Sequence, residues 1–197
     1  MARADSPRGQ RQRVRIAQTA ARLIAEHGLT DWSAAKRKAC RELGLADNES
    51  LPGNEEVEQA LRDYNSLFRP DAQAALLRKQ RQVALDWMQR LAAWRPVLIG
   101  GAAAGWATAY SDVRLELEAE DPKAVELALI NAGIDYASGD AEVTATQLIA
   151  GRGDHAIRLQ ILTPQQRRNR LRRDEDVRLT RDELRALLDA DPAAARG

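Results

Sequence analysis

The stretch from Gly100 to Leu117, GGAAAGWATAYSDVRLEL, carries the densest structural signal in the chain. It follows a short apolar run, Val97 to Ile99, that reads as a buried strand. Gly100 and Gly101 then make a turn, and Ala102 to Ala109 has the composition of a short alanine-rich helix. Ser111-Asp112 opens an alternating run from Asp112 to Ala119, which predicts a second strand. Strand, glycine turn, helix and strand in direct succession imply a domain that mixes helices with a sheet.

Downstream the alternation continues. A helix is expected over Pro122 to Ala132, with proline at its start, and a strand over Ile134 to Ala137. Glu142 to Ala150 and Ala156 to Leu162 read as a hairpin joined through Gly151, Arg152, Gly153 and Asp154. The tail returns to helix over Gln165 to Arg173 and over Arg181 to Asp189, the latter capped by Thr180 or Asp182, and 191–197 read as frayed. Upstream of the stretch the pattern is helical. A leader over 1–10 precedes a helix from Arg11, whose apolar stripe is Val14, Ile16, Ala17, Ala20, Ala21, Leu23 and Ile24 and whose stop is Gly28. A second helix, capped by Ser33, runs through Leu43 to Gly44, and Ala46 to Asn54 reads as loop. A third starts at Asn54 with inner face Val57, Leu61, Tyr64 and Leu67 or Phe68, and Pro70 breaks it. Asp71 caps a long fourth helix to Trp94, with Ala74, Leu77, Ala84, Trp87, Leu91 and Trp94 on one side and Val83 beside them.

The fold class expected is therefore α+β, with a leader (1–10), a helical N-terminal region (11–95), a mixed β-sheet domain flanked by helices (96–163) and a helical tail (164–197). The 197 residues can bury a real core, and a hydrophobic share of 44% with 30% charged residues is that of a globular protein. Lys+Arg at 30 against Asp+Glu at 29 gives a net charge of +1, so composition alone points to no polyanionic partner. A single cysteine, Cys40, excludes an intramolecular disulfide and a cysteine metal cluster. No apolar run approaches the ~20 residues of a membrane span, and the basic N-terminus lacks the apolar core of a signal peptide, so no membrane partner and a cytoplasmic location are expected.

The pattern Gly100, Ala103, Gly105, Ala107, Ser111, Asp112, Val113 and Leu115, ungapped and flanked by strands, resembles the signature of the nucleotidyltransferase superfamily, with its polymerase-β-like minimal palm. Gly101 stands in that signature's serine position. The order of elements from Val97 to Leu162 is similar to that palm, and the resemblance covers about a third of the chain. It implies that Gly100, Gly101, Gly105 and Ser111 line a nucleotide triphosphate and that Asp112 is a catalytic carboxylate and Mg²⁺ ligand. A glycine turn suits that task because backbone amides approach anionic oxygens with no side chain between. Carboxylates two apart on a strand share a face, and the resemblance implies that such a pair, with a third acid from a neighbouring strand, holds two Mg²⁺ ions.

The sequence departs from that pattern at the chemistry. Arg114 takes the second acid position, and Glu116 shares the face but lies ~6–7 Å further along. The expected third strand, Ala156 to Leu162, contains no acid, and Ala104 replaces the signature's helix arginine. Asp112 is therefore either a remnant ligand or a turn partner at the strand entry. Arg114 either binds an anion directly or pairs with a neighbour such as Glu116. The Trp87, Trp94 and Trp106 rings read as packing groups, and His27 and His155 as structural.

The functional expectation is a nucleotidyltransferase-fold protein with a degenerate metal site, a pseudoenzyme that binds nucleotide, nucleic acid or a protein partner. One alternative is an active Mg²⁺-dependent enzyme that moves an NMP group from an NTP to a hydroxyl acceptor with Asp112 and Glu116. The other is a DNA-binding regulatory protein. RVRIAQTAARLIAEHGLTDWSAAKRKACRELGL is partly similar to the opening two helices of TetR-like DNA-binding domains, and Arg8, Arg11, Arg13, Arg15, Arg22, Lys36, Arg37, Lys38 and Arg41 cluster there. Arg167, Arg168, Arg170, Arg172 and Arg173 form a second cluster.

Overall fold

The computed structural model describes residues 7–45, 51–139, 145–169 and 177–190. The fold is α+β, with N-terminal helices preceding a five-stranded mixed sheet. The chain forms two compact units. The first comprises Met1–Leu76 with Gly105–Ser111, and the second Leu77–Ala104 with Asp112–Gly197.

In the first unit, α1 (Pro7–His27) packs on α2 (Trp32–Glu42) and α3 (Asn54–Phe68). Helix α1 starts at Pro7, where a missing N–H costs nothing, and so begins before the expected Arg11. Its stripe Ile16, Ala17, Ala20, Ala21, Leu23 and Ile24 is buried as the periodicity predicts, but Val14 is half exposed. Arg13 already meets Glu56 in the first turn of α3, so the packed partner runs out at that level. Asp31, not Ser33, caps α2, accepting from the Ala34 N–H at 3.1 Å. Helix α3 buries Val57, Ala60, Leu61 and Asn65, whereas Leu67 and Phe68 are exposed because its last turn runs past Tyr64, the level at which it meets Glu26 near the end of α1. Small side chains dominate this core: Ala17, Ala20, Ala21, Ala35, Ala39, Cys40 and Ala60 let the helices approach closely. Trp32 and Trp106 cover it edge to face, with ring centroids 4.9 Å apart.

Helix α4 (Pro70–Arg90) is long, as expected, but gives way at Leu91 to a 3₁₀ turn over Ala92–Trp94, with Arg95 left-handed ahead of Pro96. Val83, Ala84, Trp87, Met88 and Leu91 are buried, while Ala74 is exposed. The sheet contains β1 (Val97–Ile99), β2 (Arg114–Glu118), β3 (Tyr136–Ser138), β4 (Thr146–Ala150) and β5 (Ile157–Leu162) in the order β1-β2-β5-β4-β3. Strand β5 runs parallel to β2, and the other pairs are antiparallel. The β4–β5 hairpin forms as expected, with Ala150 opposite Ile157, although the start of its first run lies outside the described residues. Strand β3 begins after Ile134 because that N–H is spent on Leu129 O, closing α6 (Pro122–Asn131). Alternation puts Leu115, Leu117, Ile157, Leu159, Ile161 and Leu148 on one face, where they meet α4 and α6 in the second core.

The alanine-rich stretch after β1 is the main correction. Only α5 (Gly101–Ala104) is helical, not Ala102 to Ala109. Gly105 adopts φ +86 and ends the turn, and Ala107 and Gly105 give their carbonyls to the Gln73 side chain at 2.9 and 3.3 Å. Alanine propensity of a few tenths of a kcal/mol per residue cannot outweigh a left-handed glycine at the fifth position. The tail helices are α7 (Pro164–Asn169), with the rest of its expected span outside the described residues, and α8 (Arg181–Asp189), capped by Thr180.

Gly28 ends α1 at φ +66, and a Cβ there would lie 2.8 Å from Tyr110 Cγ. Gly133 has the same backbone conformation with nothing within 4 Å. Gly133→Ala is expected to cost about 1 kcal/mol for the left-handed backbone alone, and Gly28→Ala about 1 kcal/mol or more beyond that for displacing the ring. Urea denaturation of both variants checks this; equal losses would mean that Tyr110 yields freely.

Candidate functional site

Of the residues singled out in the sequence, Arg114 and Glu116 fall on one face of β2, and Asp112 lies just ahead of that strand. Arg114, Glu116 and Glu118 alternate with the buried Leu115 and Leu117, so they share the face opposite the core. In register beside them stand Arg158 and Gln160 of β5, Arg114 opposite Arg158 and Glu116 opposite Gln160. Strand β4 adds Gln147, opposite Gln160. This face is polar at the centre of a sheet, an arrangement that requires each buried charge on it to find a partner.

Glu116 is wholly buried. It accepts from Arg178, in the segment leading into α8, and pairs with Arg167 Nε of α7 at 3.3 Å. Arg167 also reaches Glu118 at 3.0 Å, and Arg95 reaches the other Glu118 oxygen at 3.3 Å. Local sequence fixes both clamping arginines. Thr163 and Gln166 close a reciprocal cap around Pro164, which starts α7 and sets Arg167 one turn in. Thr180 and Glu183 form the same device on α8, and Leu179 bridges to Leu98 on the outer edge of β1, holding Arg178 against the sheet.

Asp112 lies two residues before β2 rather than within it. One of its oxygens, Oδ2, accepts from Arg158 Nε and Nη2, both at 3.0 Å, and Arg158 Nη1 continues to Gln147 Oε1 at 3.3 Å. Arg114 is exposed, and its stem runs beside Gly100, where an added Cβ would lie 3.4 Å from Arg114 Cδ. Gly100, at φ +72, accepts the Ala104 N–H and so closes the single turn of α5 that contains Gly101. Gly105 and Ser111 belong to the first unit, where the Ser111 hydroxyl accepts the Thr108 N–H at 2.9 Å. They act there as turn residues.

The pairing expected between Arg114 and Glu116 does not form: Glu116 is taken by Arg167 and Arg178. Arg178 had no signal in the sequence, being 62 positions from its partner. These residues do not suit a divalent cation, which needs several converging oxygen donors. Asp112 is neutralised by Arg158, Glu116 is enclosed by two guanidinium groups, and among the described residues no group of three or more His, Cys, Asp or Glu is placed to hold a metal ion. The exposed side of the face instead presents Arg114 beside Arg158, two cations against the single carboxylate of Asp112. No family model matches the chain, and no curated protein or solved structure matches it at a significant level. Among the described residues no helix is long and apolar enough to cross a membrane.

Removing one member of a buried ion cluster leaves its partners desolvated and unpaired. Glu116→Ala is expected to destabilise the protein by about 3 kcal/mol. Replacing Glu116 with Gln, which keeps the shape and one acceptor, should cost less. Urea midpoints for the two variants, read with unchanged denaturant slopes, check the order; equal stability of Glu116→Ala and wild type would show that the cluster contributes nothing net.

Proposed function

We propose that the second unit is a nucleotidyltransferase-type palm whose metal position has passed to arginine, and that it binds the triphosphate of a nucleotide without transferring it. The observation that carries the reading is the arginine pair. Arg114 and Arg158 lie in register on parallel strands, facing the same way, at the positions where the resemblance calls for acids. Arg158 is partly spent on Asp112, whereas Arg114 is exposed beside the glycine turn at Gly100. Guanidinium groups hold phosphate oxygens by charge-assisted, bidentate hydrogen bonds, and a missing Cβ at Gly100 leaves the approach open.

Such a site recognises free triphosphate, with four negative charges uncovered, in preference to the Mg²⁺ complex. Mg²⁺ would compete with Arg114 for the same oxygens. The Asp112 carboxylate then serves to orient Arg158, not to ligate metal.

Isothermal titration with ATP and GTP is expected to show tighter binding in EDTA than in Mg²⁺. Arg114→Ala should weaken it about tenfold or more, the worth of one charge-assisted hydrogen bond. Two results overturn the reading: no binding in either condition, or Mg²⁺-dependent transfer of NMP to an acceptor that disappears in Asp112→Ala.

A further inference from the structure

Helix α1 carries five arginines, Arg8, Arg11, Arg13, Arg15 and Arg22, against one acid, Glu26. The fold divides them into two sets. Arg13 pairs with Glu56 at 2.5 Å, and Arg22 pairs with Glu42 at 2.8 Å and Glu26 at 3.5 Å. Arg8, Arg11 and Arg15 are exposed, and among the described residues no carboxylate engages them. Their spacing, i, i+3 and i+7, puts them in one row along the helix, and exposed Gln18 continues it. Lys36, part of the same basic cluster in sequence, is excluded from any such surface: it is buried and donates to Asn54 Oδ1 at 2.7 Å.

We propose that this row docks on the sugar–phosphate backbone of duplex DNA. From Arg8 to Arg15 the helix rises about 10 Å, the axial advance of about three base steps on one strand. Three guanidinium groups on a rigid helix, with no acid in the row, complement a regular line of phosphates. Two other conceivable occupants match less well. Helix α1 contains no aromatic residue on which unpaired bases could stack. Its apolar side, Ile16, Ala17, Ala20, Leu23 and Ile24, is buried in the first core, so it has no apolar face to insert into a lipid surface. Duplex RNA carries the same phosphates and is the competing occupant, distinguished by its affinity relative to DNA. The contact positions the protein without reading sequence, because phosphates carry none.

Fluorescence anisotropy of the full-length chain with a labelled DNA duplex of arbitrary sequence tests this across a salt series. Three phosphate contacts predict that affinity falls about 40-fold between about 50 and 200 mM salt. The triple variant Arg8→Gln, Arg11→Gln, Arg15→Gln should lose most binding with an unchanged thermal midpoint, since none of the three makes an ion pair among the described residues. The corresponding triple lysine variant should keep the salt dependence, and Arg185→Gln on α8 should bind like wild type. The proposal is overturned by absence of binding at low salt, by wild-type binding of the glutamine triple variant, or by equal or tighter binding of duplex RNA or anionic vesicles through the same residues.

Discussion

Glu116 imposes the strongest single constraint on the second unit. A carboxylate with no solvent access, in the middle strand region of a sheet, is costly unless cations enclose it. The chain supplies them from two places far along the sequence, Arg167 on α7 and Arg178 ahead of α8. The tail is thereby tied to the sheet by charge as well as by Leu184 and Leu188, which enter the same core. The cluster also selects register. Slipping β2 by one residue would turn Arg114 and Glu116 into the apolar core and Leu115 and Leu117 out of it, so the charged and apolar faces reinforce one pairing.

The first unit solves a different problem. Its core is built largely from alanine, which brings backbones close but buries little area per residue. Polar links compensate at the margins. Tyr64 donates to Glu26 at 2.6 Å, Arg13 meets Glu56, and Arg22 meets Glu42, each joining two helices. The Tyr64 hydrogen bond holds the Glu26 carboxyl below its usual value, with Arg22 adding to the effect. These links consume the basic residues that face inward and leave the row on the outer side of α1 to solvent.

Much of the architecture was legible in the sequence, because periodicity reports burial directly. The alternating run read from Asp112 to Ala119 forms a strand over Arg114–Glu118, and the stripe read from Val14 to Ile24 is buried from Ile16 on. The failures have different causes. Ala102 to Ala109 has helical composition, yet Gly105 and the Gln73 side chain stop it after one turn. Leu67 and Phe68 fit the inner stripe of α3, yet that helix outlasts its partner. In the first case a left-handed glycine inside the stretch, supported by the distant Gln73, overrode alanine's preference; in the second the lack of a packed partner left a correct periodicity exposed.

The same division holds at the site. Residue order alone determined that Arg114, Glu116 and Glu118 share one face of a strand and Leu115 and Leu117 the other, since alternation in a strand is a local property, whereas Asp112, read as the opening of that strand, lies two residues ahead of it. Tertiary structure decided where the charges go. Glu116 was not assigned to Arg114, two residues away on the same strand, but to Arg167 on α7 and Arg178 ahead of α8; Asp112 was assigned to Arg158 on the parallel neighbour. Ion pairing depends on distance in space, and no pattern along a single strand encodes which distant guanidinium will arrive there.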